Sequence, residues 1–177
     1  MSVVIRPATP SDAPALGAFG QKTFFDTFGH LYPKADADFF CATRFCLTRT
    51  QSDIAEAGRM IQLAWSGDTL IGFLDCGPLT LPVPDAGPHT RELYRLYVDE
   101  AAKGTGLAHT LMQQALNWAR TEAAHSLYLG VYHDNLRAQA FYRKYGFEIV
   151  GAYHFKVGNT LDDERIMAVG LGGTKVG

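Results

Sequence analysis

Apolar positions along this chain recur in places at a period of two and in places near 3.6, and the changes of period mark its elements. Val3-Val4-Ile5 predicts a short first strand, ended by Pro7 and Pro10. Ser11 or Asp12 then caps a helix on which Ala15, Leu16, Phe19, Phe24 and Phe28 recur at helical spacing. Gly29 and Pro33 interrupt it. A second helix over residues 34–45 offers Phe39, Phe40 and Phe45 for burial, and residues 49–57 add a further helical turn or two. Residues 59–65 and 69–76 are apolar runs flanking Ser66-Gly67-Asp68, the pattern of a hairpin. Pro78, Pro82, Pro84 and Pro88 make 77–90 an irregular loop, because proline donates nothing to a ladder. There follow a strand at 92–98, a helix of some five turns from Gly104 to about Ala123, and a strand at 126–132. A helix at 135–145 is stopped by Gly146, a left-handed cap, and strands at 148–155 and 165–171 close as an antiparallel pair. The order is α+β, with a β–α–β–α unit in the second half.

The length of 177 residues suits one domain with a full core, expected over residues 1–171 with a flexible tail at 172–177. A hydrophobic share of 47% and a charged share of 19% are those of a globular chain. A net charge of −2 argues against non-specific nucleic-acid binding and leaves cationic substrates acceptable. Cys41, Cys46 and Cys76 are odd in number, and no neighbouring histidine or acid completes a zinc pattern. They read as buried free thiols in a reducing compartment, and no metal is expected. The N-terminal residues lack the basic segment and apolar core of a signal peptide, and no apolar run approaches the roughly 20 residues of a membrane span. A cytoplasmic location without membrane contact is the expectation.

Candidate chemistry concentrates in residues 93–112, LYRLYVDEAAKGTGLAHTLM. A strand leads into Lys103-Gly104-Thr105-Gly106 and then into an amphipathic helix. A helix N-terminus leaves about four N–H groups unpaired and carries partial positive charge, which suits a phosphate. Glycines there let a pyrophosphate lie against the backbone. Alone, the pattern is a weak signal, whose other reading is a glycine-rich turn with no ligand. It is joined some thirty residues on by Tyr128-Leu129-Gly130-Val131-Tyr132-His133-Asp134-Asn135, then Ala138, Phe141-Tyr142 and Gly146-Phe147.

Taken with Val98-x5-Gly104-Thr105-Gly106, this arrangement resembles the GNAT superfamily of N-acetyltransferases over essentially the whole chain, most specifically between residues 92 and 147. Further details resemble the spermine/spermidine N-acetyltransferase branch: Thr23-Phe24, Leu93-Tyr94-Arg95-Leu96-Tyr97-Val98, Leu129-Gly130-Val131, Val150-Gly151, Phe155-x-Val157-Gly158 and Ile166-Met167. The resemblance implies a mostly antiparallel, twisted sheet of about seven strands with helices on both faces and a V-shaped splay between the fourth and fifth strands. It implies acetyl-CoA as co-substrate, its pantetheine arm paired with a bulged strand at Leu96, Tyr97 and Val98. The pyrophosphate would be wrapped by Lys103, Gly104, Thr105, Gly106, Leu107 and Ala108. The family usually has Arg or Gln where this chain has Ala101, so that side-chain role does not carry over; Lys103 is the available substitute.

The implied reaction moves an acetyl group from acetyl-CoA to a primary amine, a polyamine-like small molecule or a protein amine, with the oxyanion held by a backbone N–H near Val98. A homodimer is among the assemblies implied. Tyr142 is the candidate general acid for the CoA thiolate, or else a packed tyrosine beside Phe141. Asn135 is a cofactor contact, an N-cap, or both. Glu92 is the candidate general base, as some members of the family have a glutamate six residues before the residue matching Val98, and on a regular strand it shares a face with Tyr94, Leu96 and Val98; the alternative is a strand-end glutamate paired with Arg91, Arg95 or another cation. His30, His133 and His154 are further candidate bases, and Asp26, Asp36 and Asp38 either attract a cationic acceptor or form a solvated face. With no cysteine in the motif, direct transfer is expected. The competing function is a non-catalytic acyl-CoA-binding or sensing module.

Overall fold

Twelve main elements build the chain, and a computed structural model describes residues 2–172. The first strand, β1 (Val3–Pro7), is followed by α1 (Ala13–Phe28), α2 (Lys34–Arg44) and α3 (Leu47–Ala55). Strands β2 (Met60–Ser66) and β3 (Thr69–Pro78) form the expected hairpin, and β4 (Thr90–Val98) follows. The second half is α4 (Leu107–Thr121), β5 (Ser126–Tyr132), α5 (Leu136–Arg143), β6 (Glu148–Val157) and β7 (Thr160–Gly170). The sheet has seven strands in the order β1-β2-β3-β4-β5-β7-β6, and every pair is antiparallel except β4–β5. Residues 173–177 of the expected tail lie outside the described residues. Among the described residues, no helix is long and apolar enough to cross a membrane.

Several boundaries differ from the sequence reading, each for a local reason. Strand β1 runs through Pro7, which an edge strand tolerates because its free side needs no N–H. Helix α4 starts at Leu107 rather than Gly104, because Gly104 and Gly106 sit at φ +79° and +88°, outside the right-handed helical region. It ends before Ala123, which itself has φ +53°. Phe39 is 66% exposed, whereas Phe40 and Phe45 pack into the core. Cys41 and Cys76 are buried, but Cys46 is exposed.

Two layers of helix cover the sheet. Leu107, Leu111, Met112, Ala115, Leu116 and Ala119 recur every three to four residues along α4 and pack on Leu74, Cys76, Leu93, Leu127 and Leu129. Each fully buried leucine of this kind contributes about 1.5–3 kcal/mol. On the other face Leu16 and Phe19 of α1 meet Ile61, Leu63 and Phe73. A third cluster, Phe24, Tyr32, Ala37, Cys41, Phe45 and Val157, joins α1 and α2 to β6. Asp36 fastens that corner: its carboxylate accepts from Asn159 N at 3.0 Å and Thr160 Oγ1 at 2.8 Å, in the β6–β7 turn.

Two irregularities shape the centre of the sheet. Strands β4 and β5 pair only through Thr90–Ser126, Arg91–Leu127 and Glu92–Tyr128, then diverge. Against β3, Arg95 lies opposite Asp75 while Leu93 lies opposite Cys76, so Tyr94 is an extra residue, a β-bulge. The bulge changes which residues share a face. Glu92 opposes Gly77, Arg95 opposes Asp75 and Tyr97 opposes Phe73, so these three lie on one side. Leu96 and Val98 lie on the other, against the expectation that they share a face with Glu92.

Candidate active site

The divergence of β4 from β5 opens a cavity of about 950 Å³. Of the residues singled out in the sequence, Glu92, Leu96, Tyr97, Val98, Lys103, Gly104, Gly106, Ala108, Asn135 and Tyr142 all line it. Leu107 does not, since its side chain is 6% exposed and belongs to the core under α4. Thr105 does not either; its hydroxyl donates to Ala102 O at 2.7 Å and closes the turn.

The loop before α4 is built as an open cradle. A Cβ placed on Gly104 or Gly106 would meet nothing within 4 Å. The N–H groups of Gly104, Gly106, Leu107, Ala108 and His109 have no backbone acceptor among the described residues. Such a run of free donors at the start of a 15-residue helix fits an anionic group. Lys103 adds positive charge beside it, partly spent on an ion pair with Glu100. Next to the cradle, the β4 edge beyond Glu92 has no strand partner on its β5 side among the described residues, which fits an extended amide chain.

Tyr142 is held from both ends of α5. At the N-terminus the Asn135 side chain accepts from Ala138 N at 3.1 Å, an N-cap. At the C-terminus Gly146 N donates to Arg143 O at 3.0 Å and Phe147 N to Tyr142 O at 3.4 Å, with Gly146 at φ +87°. This is a Schellman motif, and the Phe147 ring completes it by packing 5.9 Å from the Tyr142 ring. The phenol oxygen of Tyr142 has no hydrogen-bond partner among the described residues, and burial raises its pKa, so it is protonated at neutral pH.

Glu92 is buried at 6% exposure, but neither Arg91 nor Arg95 pairs with it. Its Oε2 accepts from Thr80 N at 2.6 Å, Thr80 Oγ1 at 2.9 Å and Leu81 N at 3.1 Å, anchoring the proline-rich loop. Burial raises its pKa against these three bonds. His30, His133 and His154 are absent from the cavity lining; His133 instead lies 3.2 Å from Asp134. Asp26 pairs with Lys22 and Asp38 with Lys34.

A second carboxylate, Glu164 on β7, was not indicated by the sequence. It lines the cavity, accepts from Tyr153 Oη at 2.8 Å, and burial pushes its pKa up to about 7. Gly130 makes room for this pair, because a Cβ there would stand 2.5 Å from Tyr153 Oη and 3.1 Å from Glu164 Oε2. The pattern Leu129-Gly130-Val131 held the signal for a close approach, but nothing in it pointed to β7. No cysteine lines the cavity among the described residues, and no cluster of three His, Cys, Asp or Glu groups there is disposed to hold a metal.

The sequence profile of the acetyltransferase (GNAT) family matches residues 22–147. An uncharacterised N-acetyltransferase of Mycobacterium tuberculosis is 40% identical over 76 residues, 43% of this chain and 49% of that protein. An uncharacterised N-acetyltransferase of Lactobacillus delbrueckii subsp. lactis is 24% identical over 169 residues, 96% of this chain and 98% of that protein. The chain spans about half the length of several of the curated relatives it matches. Among solved structures, the PaiA N-acetyltransferase of Thermoplasma acidophilum in complex with coenzyme A aligns over 96% of this chain and 99% of that one. Its TM-score is 0.78 at 19% identity, a likeness of fold.

Proposed function

Because this chain belongs to the acetyltransferase (GNAT) family, we propose that it transfers an acetyl group from acetyl-CoA directly to a primary amine. The observation that carries this reading is the continuity of one cavity from the amide cradle at Gly104 and Gly106, past the unpaired edge of β4, to Tyr142 and Glu164. Acetyl-CoA supplies the thioester carbonyl and the thiol leaving group. The free N–H groups from Gly104 to His109 hold its pyrophosphate, and the backbone of Leu96, Tyr97 and Val98 holds the pantetheine arm.

Glu164 takes the proton from the incoming ammonium, for which a pKa of about 7 is well matched to neutral pH. The amine lone pair then forms the C–N bond, and a backbone N–H near Val98 stabilises the oxyanion. As the C–S bond breaks, Tyr142 gives its phenolic proton to the departing thiolate. The second nitrogen proton leaves to solvent, and the proton held by Glu164 returns through solvent to the Tyr142 phenolate, so each turnover restores both groups and yields the amide, CoA thiol and one proton. Glu92, whose Oε2 is occupied by Thr80 and Leu81, holds the proline-rich loop; its remaining oxygen is the second candidate base.

The test is CoA thiol release measured with a panel of amines for the wild type, Tyr142→Phe, Glu164→Gln and Glu92→Gln. The reading expects turnover that collapses in Tyr142→Phe while acetyl-CoA affinity holds within a few-fold. It expects the ionisation near pH 7 in kcat/KM to vanish in Glu164→Gln and to persist in Glu92→Gln. A pH dependence that survives in Glu164→Gln and disappears in Glu92→Gln moves the base to Glu92. Acetyl-CoA binding with unchanged behaviour in Tyr142→Phe favours the sensing module instead. A polyamine acceptor would find little free negative charge on α1 and α2, where Asp26, Asp36 and Asp38 are all engaged.

A further inference from the structure

Beneath the cavity, between α2, α3, β3 and β4, lies a cluster of charges that the reaction above does not use. Arg44, Arg49, Arg59 and Arg95 meet Asp53, Glu56 and Asp75. Asp75 is fully buried and Asp53 is 3% exposed. Arg59 turns inward to the anions: it reaches Asp75 at 2.8 and 2.9 Å, Asp53 at 2.8 Å and Glu56 at 2.8 Å. Arg49 and Glu56 reach the solvent. The two remaining guanidinium groups, Arg44 and Arg95, line the cavity.

Four cations therefore face three anions, and two of the four, Arg44 and Arg95, stand at the cavity wall. Arg44 Nη1 donates to Asp53 at 2.7 Å, while its Nε and Nη2 have no partner among the described residues. Arg95 directs Nε and Nη2 at Asp75 and leaves Nη1 without a partner there. Burial and the neighbouring charge of Arg95 together hold the Arg44 pKa down to about 10. Free guanidinium edges in a shielded site fit a planar anion, and carboxylate geometry matches them best.

The other polar side of the same cavity is acidic, with Glu164 and Glu92. Tyr97, two residues beyond Arg95 on the same side of β4, lines this cavity together with Arg44 and Glu164. Phe24, Phe28, Phe40 and Phe155 complete the lining with apolar surface.

We propose that the acetyl acceptor is an amino acid with an apolar side chain, its carboxylate seated on Arg44 and Arg95 and its amine directed to Glu164. The inference rests on the acetyltransferase reading and gives it a substrate class. A diamine or polyamine would set a second ammonium against the arginines, whereas an amino acid balances both sides.

The first experiment needs no variant. CoA release is compared for free apolar amino acids, the same amino acids as carboxamides, and diamines, with acetyl-CoA binding followed separately by titration calorimetry. The expected result is at least about a tenfold higher kcat/KM for the acid than for its carboxamide, carried mostly in KM. In Arg44→Lys, which keeps the charge but loses the planar fork, KM for the acid rises about tenfold while KM for the carboxamide moves less than about twofold. Carboxamides or diamines used as well as the acids overturn the proposal and leave the acetyltransferase reading standing. Acetyl-CoA binding with neither turnover of any acid nor calorimetric binding of the N-acetyl acids to CoA-saturated protein overturns it as well. Failure to bind acetyl-CoA at all removes both.

Discussion

At the scale of single residues, the proposed reaction makes opposite protonation demands on Tyr142 and Glu164. Tyr142 must hold its proton until the thiolate departs, and burial keeps it protonated throughout the neutral range. Tyr142→Phe is expected to lower kcat about 10²- to 10⁴-fold, the usual worth of a positioned acid, in steady-state assays. Glu164 must be ionised to accept a proton, so activity should rise as pH passes through about 7. Its linkage to folding runs the other way. Burial places the folded pKa above the unfolded value of 4.5, so Glu164 favours the folded state at low pH and loses that contribution as pH rises toward 7. Glu164→Gln is therefore expected to raise Tm at pH 8 while lowering kcat/KM about 10²- to 10⁴-fold, which thermal denaturation and kinetics on one preparation would check. Tyr142 was legible in the sequence because Asn135, Phe141-Tyr142 and Gly146-Phe147 form a local pattern. Glu164, Arg44 and Arg95 were not, because they meet only through the tertiary fold and no spacing between them is fixed.

At the scale of elements, the caps of α5 and the bulge in β4 do most to place the chemistry. Gly146 at φ +87° permits the turn that sets Phe147 against Tyr142. Gly146→Ala is expected to cost about 1–2 kcal/mol in chemical denaturation, the penalty of a left-handed residue with a Cβ, and to lower kcat because Tyr142 loses its support. A packing change gives the contrast: Leu111→Ala, at a fully buried position in α4, should cost about 2–5 kcal/mol with little effect on KM. Periodicity located α4 and β5 well, since long apolar repeats dominate their local energetics. It placed the start of α4 three residues early, because a glycine supports a helix and a left-handed turn alike. It put Glu92 on the wrong face of β4, because an inserted residue such as Tyr94 inverts the alternation and depends on the neighbouring strand.

At the scale of the whole molecule, the mostly antiparallel sheet and its splay between the fourth and fifth strands followed from the family resemblance, whereas the strand order came only with the structure; the splay leaves room for a ligand beside β4. Coenzyme A at about 100 times its Kd should stabilise the protein by about 2.7 kcal/mol, read as a rise in Tm that grows with the logarithm of ligand concentration. The acceptor half of the cavity is assembled from distant parts of the chain. Asp36 is tied to Asn159 and Thr160, Tyr32 donates to Asp162, and Glu164 comes from the final strand. During synthesis the N-terminal helices must therefore wait for residues more than a hundred positions downstream. On the proposed reading, a chain arrested before β7 already holds the residues of the cofactor cradle and Tyr142 and still lacks Glu164, so the amine site is the part of the cavity completed later in synthesis.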